Sequence, residues 1–263
     1  MTPRHWLAAS IVACSVSSAV YGAAQATSTE RRGAGQCFFL DKPAGEEPPA
    51  LNGETFSRRI GTPHLDAAVN DILHRAAVTF SLDRHEYPVF RFLMPGASGG
   101  DGYARDGQSL ETGTRGLVAI SVNLVTEGGY IRPDRSSVPT EEMRLLAFEV
   151  VVGHEFAHIY QVRRNFTERL MAAEPTGKFV ELHADFMAGW FMSQRHNLTI
   201  EVLQFVANVL FERGDQAVGL PGHHGTKADR FSAVLQGYLR SVGTDNADAA
   251  AANAIIYLRE TTK

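Results

Sequence analysis

Two histidines and a glutamate stand at fixed spacing in the segment Gly-His-Glu-Phe-Ala-His at residues 153–158. Four residues advance an α-helix by roughly 400° and about 6 Å, so His154 and His158 project from one face and are able to share a cation. Glu155 lies one step round the helix, close enough to take a proton from a water that the metal activates. This HExxH pattern is typical of a helix-borne zinc site that hydrolyses peptide bonds. So short a pattern also arises by chance, so the interpretation requires a third ligand.

A third ligand is available in the segment Glu-Leu-His-Ala-Asp at residues 181–185, on a second helix that we expect to begin near Pro175. A catalytic zinc site has three protein ligands and one open position, so Glu181 completes the set with the two histidines. Asp185 shares the face of Glu181 and is placed to accept the outer ring N–H of a ligand histidine. A solvated helix face is the alternative, but the surrounding sequence is too apolar for full exposure. His183, on another face, is predicted to be a packing or surface histidine.

The order and spacing of three blocks, at residues 153–158, 181–190 and 224–230, resemble those of the gluzincins. The most similar families are the neutral zinc metallopeptidases and the prenyl-protein and heat-shock membrane peptidases. They carry a glutamate ligand followed three residues later by Ala-Asp, and a His-Gly-Thr or His-Pro segment and an arginine close to the metal. The resemblance covers roughly residues 115–240. A metzincin is excluded because the Ile-Tyr-Gln-Val-Arg-Arg that follows His158 lacks the required glycine and third histidine.

The resemblance implies a zincin-like fold, one zinc ion and a polypeptide substrate. It also implies that His224, in the third block, helps to hold the oxyanion of a tetrahedral intermediate. The alternative for His224 is an ordinary polar helix entry. Arg230 is expected to pair with a buried carboxylate, either Asp185 or Glu181. The block itself is predicted to begin a helix, because Thr226 followed by an aspartate three residues later is similar to a capping box.

The rest of the sequence predicts the elements that position these residues, mostly helices with a small sheet before the HExxH helix, which is an α+β arrangement. Hydrophobic periodicity and flanking residues predict helices over about 63–80, from Thr140 through the HExxH segment, from Thr199 to Gly214 and over about 245–259, and strands over 87–94 and 116–125. Residues 95–115, with six glycines, are predicted to be a loop. In the resembling families the strand before the active helix is the sheet edge along which an extended peptide lies. The composition of residues 116–125 fits an interior strand equally well.

Residues 1–26 have the pattern of a secretory signal peptide, with an apolar run shorter than the roughly 20 residues needed to span a bilayer. In a second interpretation the signal is residues 1–13 and the Ile-Val-Ala-Cys segment is a lipobox, so that a lipid on Cys14 anchors the chain to a membrane. Both interpretations predict an exported protein, periplasmic or secreted. Residues 27–60 are predicted to be a flexible lead-in and residues 61–263 the metallopeptidase domain.

Composition limits the classes of partner and of function. A 44% hydrophobic content is enough for a sizeable core, and a formal net charge of −4 provides no electrostatic footprint for nucleic acid. The second cysteine, Cys37, has no partner once a signal of 26 residues is removed. We therefore expect an exported zinc metalloendopeptidase. The alternative is an envelope assembly or chaperone-type factor that keeps the zinc site with little or narrow proteolysis. Intact Glu155 favours the enzyme, because a structural zinc site needs no base.

Overall fold

A computed structural model describes residues 55–83, 87–94, 102–105, 116–127, 139–194, 198–211, 223–240 and 244–261 of the chain. Both candidate signals and most of the predicted lead-in lie outside the described residues. The described part is mostly helical with one small sheet, which confirms the α+β class. No helix within these ranges is long and apolar enough to cross a membrane.

In chain order, one strand and one helix are followed by the other three strands, and the remaining helices come after them. The strands are β1 (Phe56–Ser57), β2 (Val89–Leu93), β3 (Gly102–Arg105) and β4 (Leu117–Ser121). The helices of the described ranges are α1 (Pro63–Thr79), α2 (Val122–Thr126), α3 (Glu141–Arg163), α4 (Phe166–Ala173), α5 (Lys178–Ser193), α6 (Ile200–Phe211), α7 (Lys227–Arg240) and α8 (Ala247–Thr261).

The four strands form one sheet in the order β1-β2-β4-β3. Strands β2 and β4 run parallel, and β1 and β3 pair antiparallel with them on either side. The strand before the active helix, β4, is therefore interior, so the edge position implied by the resemblance is wrong. The outer strand next to β4 is β3, which falls inside the segment predicted to be a loop. Its four residues stand among glycines, so the sequence contains no alternation long enough to indicate a strand.

Several element boundaries differ from the sequence prediction for local reasons. The apolar run predicted as a strand over 116–125 is a strand only to Ser121 and then becomes α2, because short buried strands and helices have the same composition. Helix α5 begins at Lys178 and not near Pro175, after Gly177 takes a left-handed conformation with φ of 102°. The predicted end of α6 at Gly214 lies outside the described residues.

Helix α3 carries the HExxH segment and is buried on every face at its centre, where each residue from Ala147 to Ala157 is buried. It begins at the predicted position, since the Thr140 hydroxyl accepts a hydrogen bond from the Met143 amide at 3.3 Å. The helix packs against α1, α2, α5, α6 and the sheet. A histidine and a glutamate in such a helix would carry a large desolvation cost unless they serve each other or a ligand.

Helices α5 and α7 cross at two glycines with almost no space between their backbones. A Cβ atom on Gly189 would lie 2.9 Å from the amide nitrogen of Tyr238 and 2.9 Å from the carbonyl carbon of Val234. A Cβ atom on Gly237 would lie 2.9 Å from the Cα of Phe186. Only glycine permits this approach, which brings the third sequence block on α7 against the second block on α5.

Candidate metal centre

Helices α3 and α5 bring three donor groups to one point. The Nε2 atoms of His154 and His158 lie 3.0 Å apart. The Glu181 carboxylate lies 3.4 Å from the Nε2 of His154 and 3.5 Å from that of His158. One ligand atom from each of the three residues lies within 4.8 Å of the others, the only such group found among the described residues. The predicted three-ligand set is thus assembled in space.

An acceptor oxygen lies close to the outer nitrogen of each ring. The Nδ1 of His154 lies 2.9 Å from Asp185 Oδ1, and the Nδ1 of His158 lies 2.9 Å from Gln161 Oε1. A proton held on each Nδ1 leaves each Nε2 with a lone pair directed at the other and at Glu181. Two lone pairs and a carboxylate at these distances repel one another unless a cation lies among them. The donor chemistry therefore fits zinc, which binds imidazole nitrogens and carboxylate oxygens.

Without a metal, a proton is the alternative cation. Burial by itself would lower the pKa of His154, but the Asp185 carboxylate, with smaller contributions from Glu181 and Glu155, raises it to about 9. The pKa of Glu181 is held well below its ordinary value despite burial, mainly by His158. The metal-free site is therefore protonated on His154 and ionised on Glu181 at neutral pH. Metal and proton compete for the same Nε2 lone pair.

Asp185 is fully buried and lies between His154 and Arg230, in contact with both. Arg230 donates from Nε to Oδ2 at 2.7 Å and from Nη2 to Oδ1 at 2.8 Å, a bidentate pair. The same guanidinium lies 3.5 Å from the Glu181 carboxylate. Arg230 thus lies against both Asp185 and Glu181, the two carboxylates that the sequence predicts as alternative partners. Although burial opposes it, Asp185 raises the pKa of Arg230, so this charge is permanent.

The charge and exposure of the centre match an open divalent-metal site. Glu155 is 2% exposed, and its negative charge is among the causes that raise the pKa of His154 and of Arg230. With Glu181 and Asp185 it makes three carboxylates against one guanidinium, so with both histidines neutral a divalent cation would balance the charge. The His158 and Glu181 side chains remain 19% and 16% exposed, so a small molecule is able to reach the ligands.

His224 stands at the rim of this centre. Its side chain is 54% exposed, and its Nδ1 lies 3.4 Å from Glu181 Oε1. It is held just before α7 by the predicted capping box, in which the Thr226 amide donates to Asp229 Oδ2 at 3.1 Å and the Asp229 amide donates to Thr226 Oγ1 at 3.2 Å. The exposed ring is thus positioned to donate a hydrogen bond to a molecule bound beside Glu181.

Two features of the centre were missed by sequence reasoning. Gln161, the outer partner of His158, lies three residues beyond it on α3, and that i,i+3 spacing is the signal that would have found it. The close approach of Gly189 and Gly237 has no local signal, because each glycine stands alone inside a helix. His183 is fully buried, so it is a packing histidine and not a surface one, and its ring centroid lies 5.4 Å from that of Phe166.

Comparison with known proteins finds no family, no curated protein and no solved structure that matches this chain.

Proposed function

We propose that this chain is an exported, zinc-dependent endopeptidase with a zincin-like fold. His154, His158 and Glu181 would hold one zinc ion, and Glu155 would be the general base. The observation that carries the proposal is the convergence of these three donors within 4.8 Å, with an acceptor oxygen 2.9 Å from the outer nitrogen of each histidine ring. The resemblance of the three motif blocks to gluzincins supports the assignment, and the N-terminal signal pattern supports export.

The residues of the chain divide the chemistry between them. When bound, zinc lowers the pKa of a water molecule and polarises the scissile carbonyl. The Glu155 carboxylate accepts the proton of the attacking water and returns it to the nitrogen of the leaving amine. His224 donates a hydrogen bond to the developing oxyanion. Asp185 and Arg230 hold the ligand residues in place, since the pair contacts both His154 and Glu181.

A polypeptide substrate is supported by the sheet. Strand β3 is one of the two outer strands of the described sheet, and it packs against α3, the helix with the HExxH segment. An extended peptide that adds to β3 would form main-chain hydrogen bonds with little demand on its side chains. This replaces the expectation that the peptide lies along the strand immediately before the active helix.

The test combines metal analysis with proteolysis of unfolded casein, with and without a chelator. Glu155→Gln should retain one zinc ion per chain and lose about 100-fold or more of the chelator-sensitive activity. The control Glu168→Gln makes the same change at an exposed position of α4 and should cleave at the parental rate. Glu181→Ala should lower zinc content, because it removes one of three ligands.

Each part of the proposal has its own contrary result. Parental activity in Glu155→Gln would remove Glu155 as the base, and full zinc occupancy in Glu181→Ala would remove Glu181 as a ligand. One zinc ion per chain without cleavage of casein or of a mixed peptide library would overturn the peptidase assignment. That outcome would favour the envelope assembly role.

A further inference from the structure

Gln161 is a fully buried polar residue with all of its side-chain hydrogen-bonding atoms engaged at the metal centre. Its Oε1 lies 2.9 Å from the Nδ1 of His158. Its Nε2 donates to the carbonyl oxygen of Val180 at 2.8 Å and lies 3.1 Å from the Nδ1 of His183. Burying an amide has a desolvation cost, which its hydrogen bonds offset, and several partners together hold it in one orientation.

The partners on α5 determine which way the amide points. A backbone carbonyl only accepts, so the NH₂ group must face Val180, and the oxygen must face His158. The Nδ1 of His183, which is also buried, lies 3.1 Å from the Gln161 Nε2 and offers that NH₂ group a second acceptor. Two acceptors on α5 therefore lock the amide in one orientation.

The locked amide in turn determines the state of His158. Because Gln161 Oε1 only accepts, the Nδ1 of His158 carries the proton and its Nε2 presents the lone pair toward Glu181 and His154. The other contact of the amide is to the residue directly before Glu181, so one side chain braces the backbone of a second ligand.

We propose that Gln161 is a positioning residue for the metal centre, setting the tautomer and ring orientation of His158, and that His183 supports it by fixing the amide. The inference rests on the proposed zinc site and extends it to a residue outside the ligand set. It also explains why the two histidines have unlike outer partners. His154 has the carboxylate of Asp185, whereas a second carboxylate beside His158 would add a fourth negative charge to a centre with one guanidinium.

The first test is Gln161→Met, which keeps the length of the side chain and removes its hydrogen bonds. Zinc affinity, measured by competition with a chromophoric chelator, should fall about 10- to 100-fold, as is usual when the outer partner of a ligand histidine is lost. A urea titration of the zinc-free variant measures its stability and shows that the zinc affinity is that of folded protein. Unchanged zinc affinity in a folded but less stable variant would mean that Gln161 is merely structural, and would overturn the proposal.

A matched pair at His183 tests the second step and serves also if Gln161→Met does not fold. His183→Asn keeps an acceptor near the position of Nδ1, whereas His183→Leu has similar volume and none. The leucine variant should lose zinc affinity several-fold relative to the asparagine variant. Equal affinities in the two would contradict the supporting role of His183.

The outcome for Glu181→Ala distinguishes failure of the Gln161 proposal from failure of the proposed zinc site. If zinc affinity is unchanged in Glu181→Ala, the ligand set is wrong and the proposed function fails. If zinc affinity falls in Glu181→Ala but stays parental in Gln161→Met, the zinc site stands and only the positioning role of Gln161 is refuted.

Discussion

The close crossing of α5 and α7 provides a direct test of how the fold holds the centre together, through the substitution Gly189→Ala. A Cβ atom there would lie 2.9 Å from the carbonyl carbon of Val234, and the carbonyl oxygen is closer still. Carbon atoms in good contact are about 3.5–4.0 Å apart, so this carbon alone requires the helices to separate by at least about 0.6–1.1 Å. Both obstructing atoms belong to the backbone, so no side-chain rotation relieves the clash.

The separation acts directly on the buried ion pair. Asp185 lies one helical turn before Gly189, and Arg230 one turn before Val234, so the pair sits at the next level of the same crossing. Adding the shift to the donor–acceptor distances of 2.7 and 2.8 Å extends them to about 3.3–3.9 Å, beyond the usual range of such hydrogen bonds. Overpacking usually costs about 1–3 kcal/mol and breaking a buried ion pair about 3–5 kcal/mol. The higher helix propensity of alanine stabilises a helix by about 1 kcal/mol relative to glycine, which offsets little of this loss.

We therefore expect Gly189→Ala to lower the free energy of unfolding by about 3 kcal/mol or more, measured in urea on zinc-free protein. The control is Ala252→Gly at an exposed position within α8, which calibrates the intrinsic alanine–glycine difference and should cost about 1 kcal/mol. A Gly189→Ala protein within about 0.5 kcal/mol of the parent, the scatter typical of neutral surface changes, would refute the argument that backbone contact sets the distance between Asp185 and Arg230.

Two further predictions concern the charges of the centre. Asp185→Asn leaves the buried Arg230 charge without its bidentate partner, so it should lower the free energy of unfolding in urea by about 3–5 kcal/mol and weaken zinc affinity about 10- to 100-fold. The control Asp71→Asn, at an exposed carboxylate paired with Arg75, should lower the free energy of unfolding by less than about 1 kcal/mol. Equal losses in the two variants would contradict the buried-charge argument. Zinc affinity of the parent should fall about tenfold for each pH unit below about 9, because His154, with its pKa raised to about 9, must release a proton before its Nε2 binds metal. An affinity that is flat between about pH 7 and 9 in chelator competition would rule out this competition.

Much of the site is predictable from the sequence because its first elements are local. Four residues of one helix place His154 and His158 on the same face whatever surrounds them, and α3 begins at the predicted Thr140 cap. The same holds for the capping box at Thr226, whose two hydrogen bonds join residues three apart. Patterns of this kind need no knowledge of the rest of the fold.

The sheet shows where this kind of prediction stops. The sequence predicts that the residues of β4 form a strand, but their position between β2 and β3 depends on pairing with distant segments. Strand β3 has four residues in a glycine-rich stretch, so only its hydrogen bonds to β4 make it a strand. Edge or interior position is a property of the neighbours of a strand, and the composition of residues 116–125 was compatible with both.

The two histidines, the adjacent glutamate and the Thr140 cap of their helix follow from the sequence alone, because spacing along one helix converts directly into shared faces. The packing of distant elements is what brings Arg230 against both Asp185 and Glu181, the Gln161 amide against Val180 and His183 on α5, and β3 against the active helix. Each of these contacts joins different elements or depends on how they pack. Such contacts produce no periodic pattern in the sequence, because they form where helices and strands pack against one another. Residues elsewhere in the fold set the distances, as Gly189 and Gly237 set the distance at the crossing of α5 and α7.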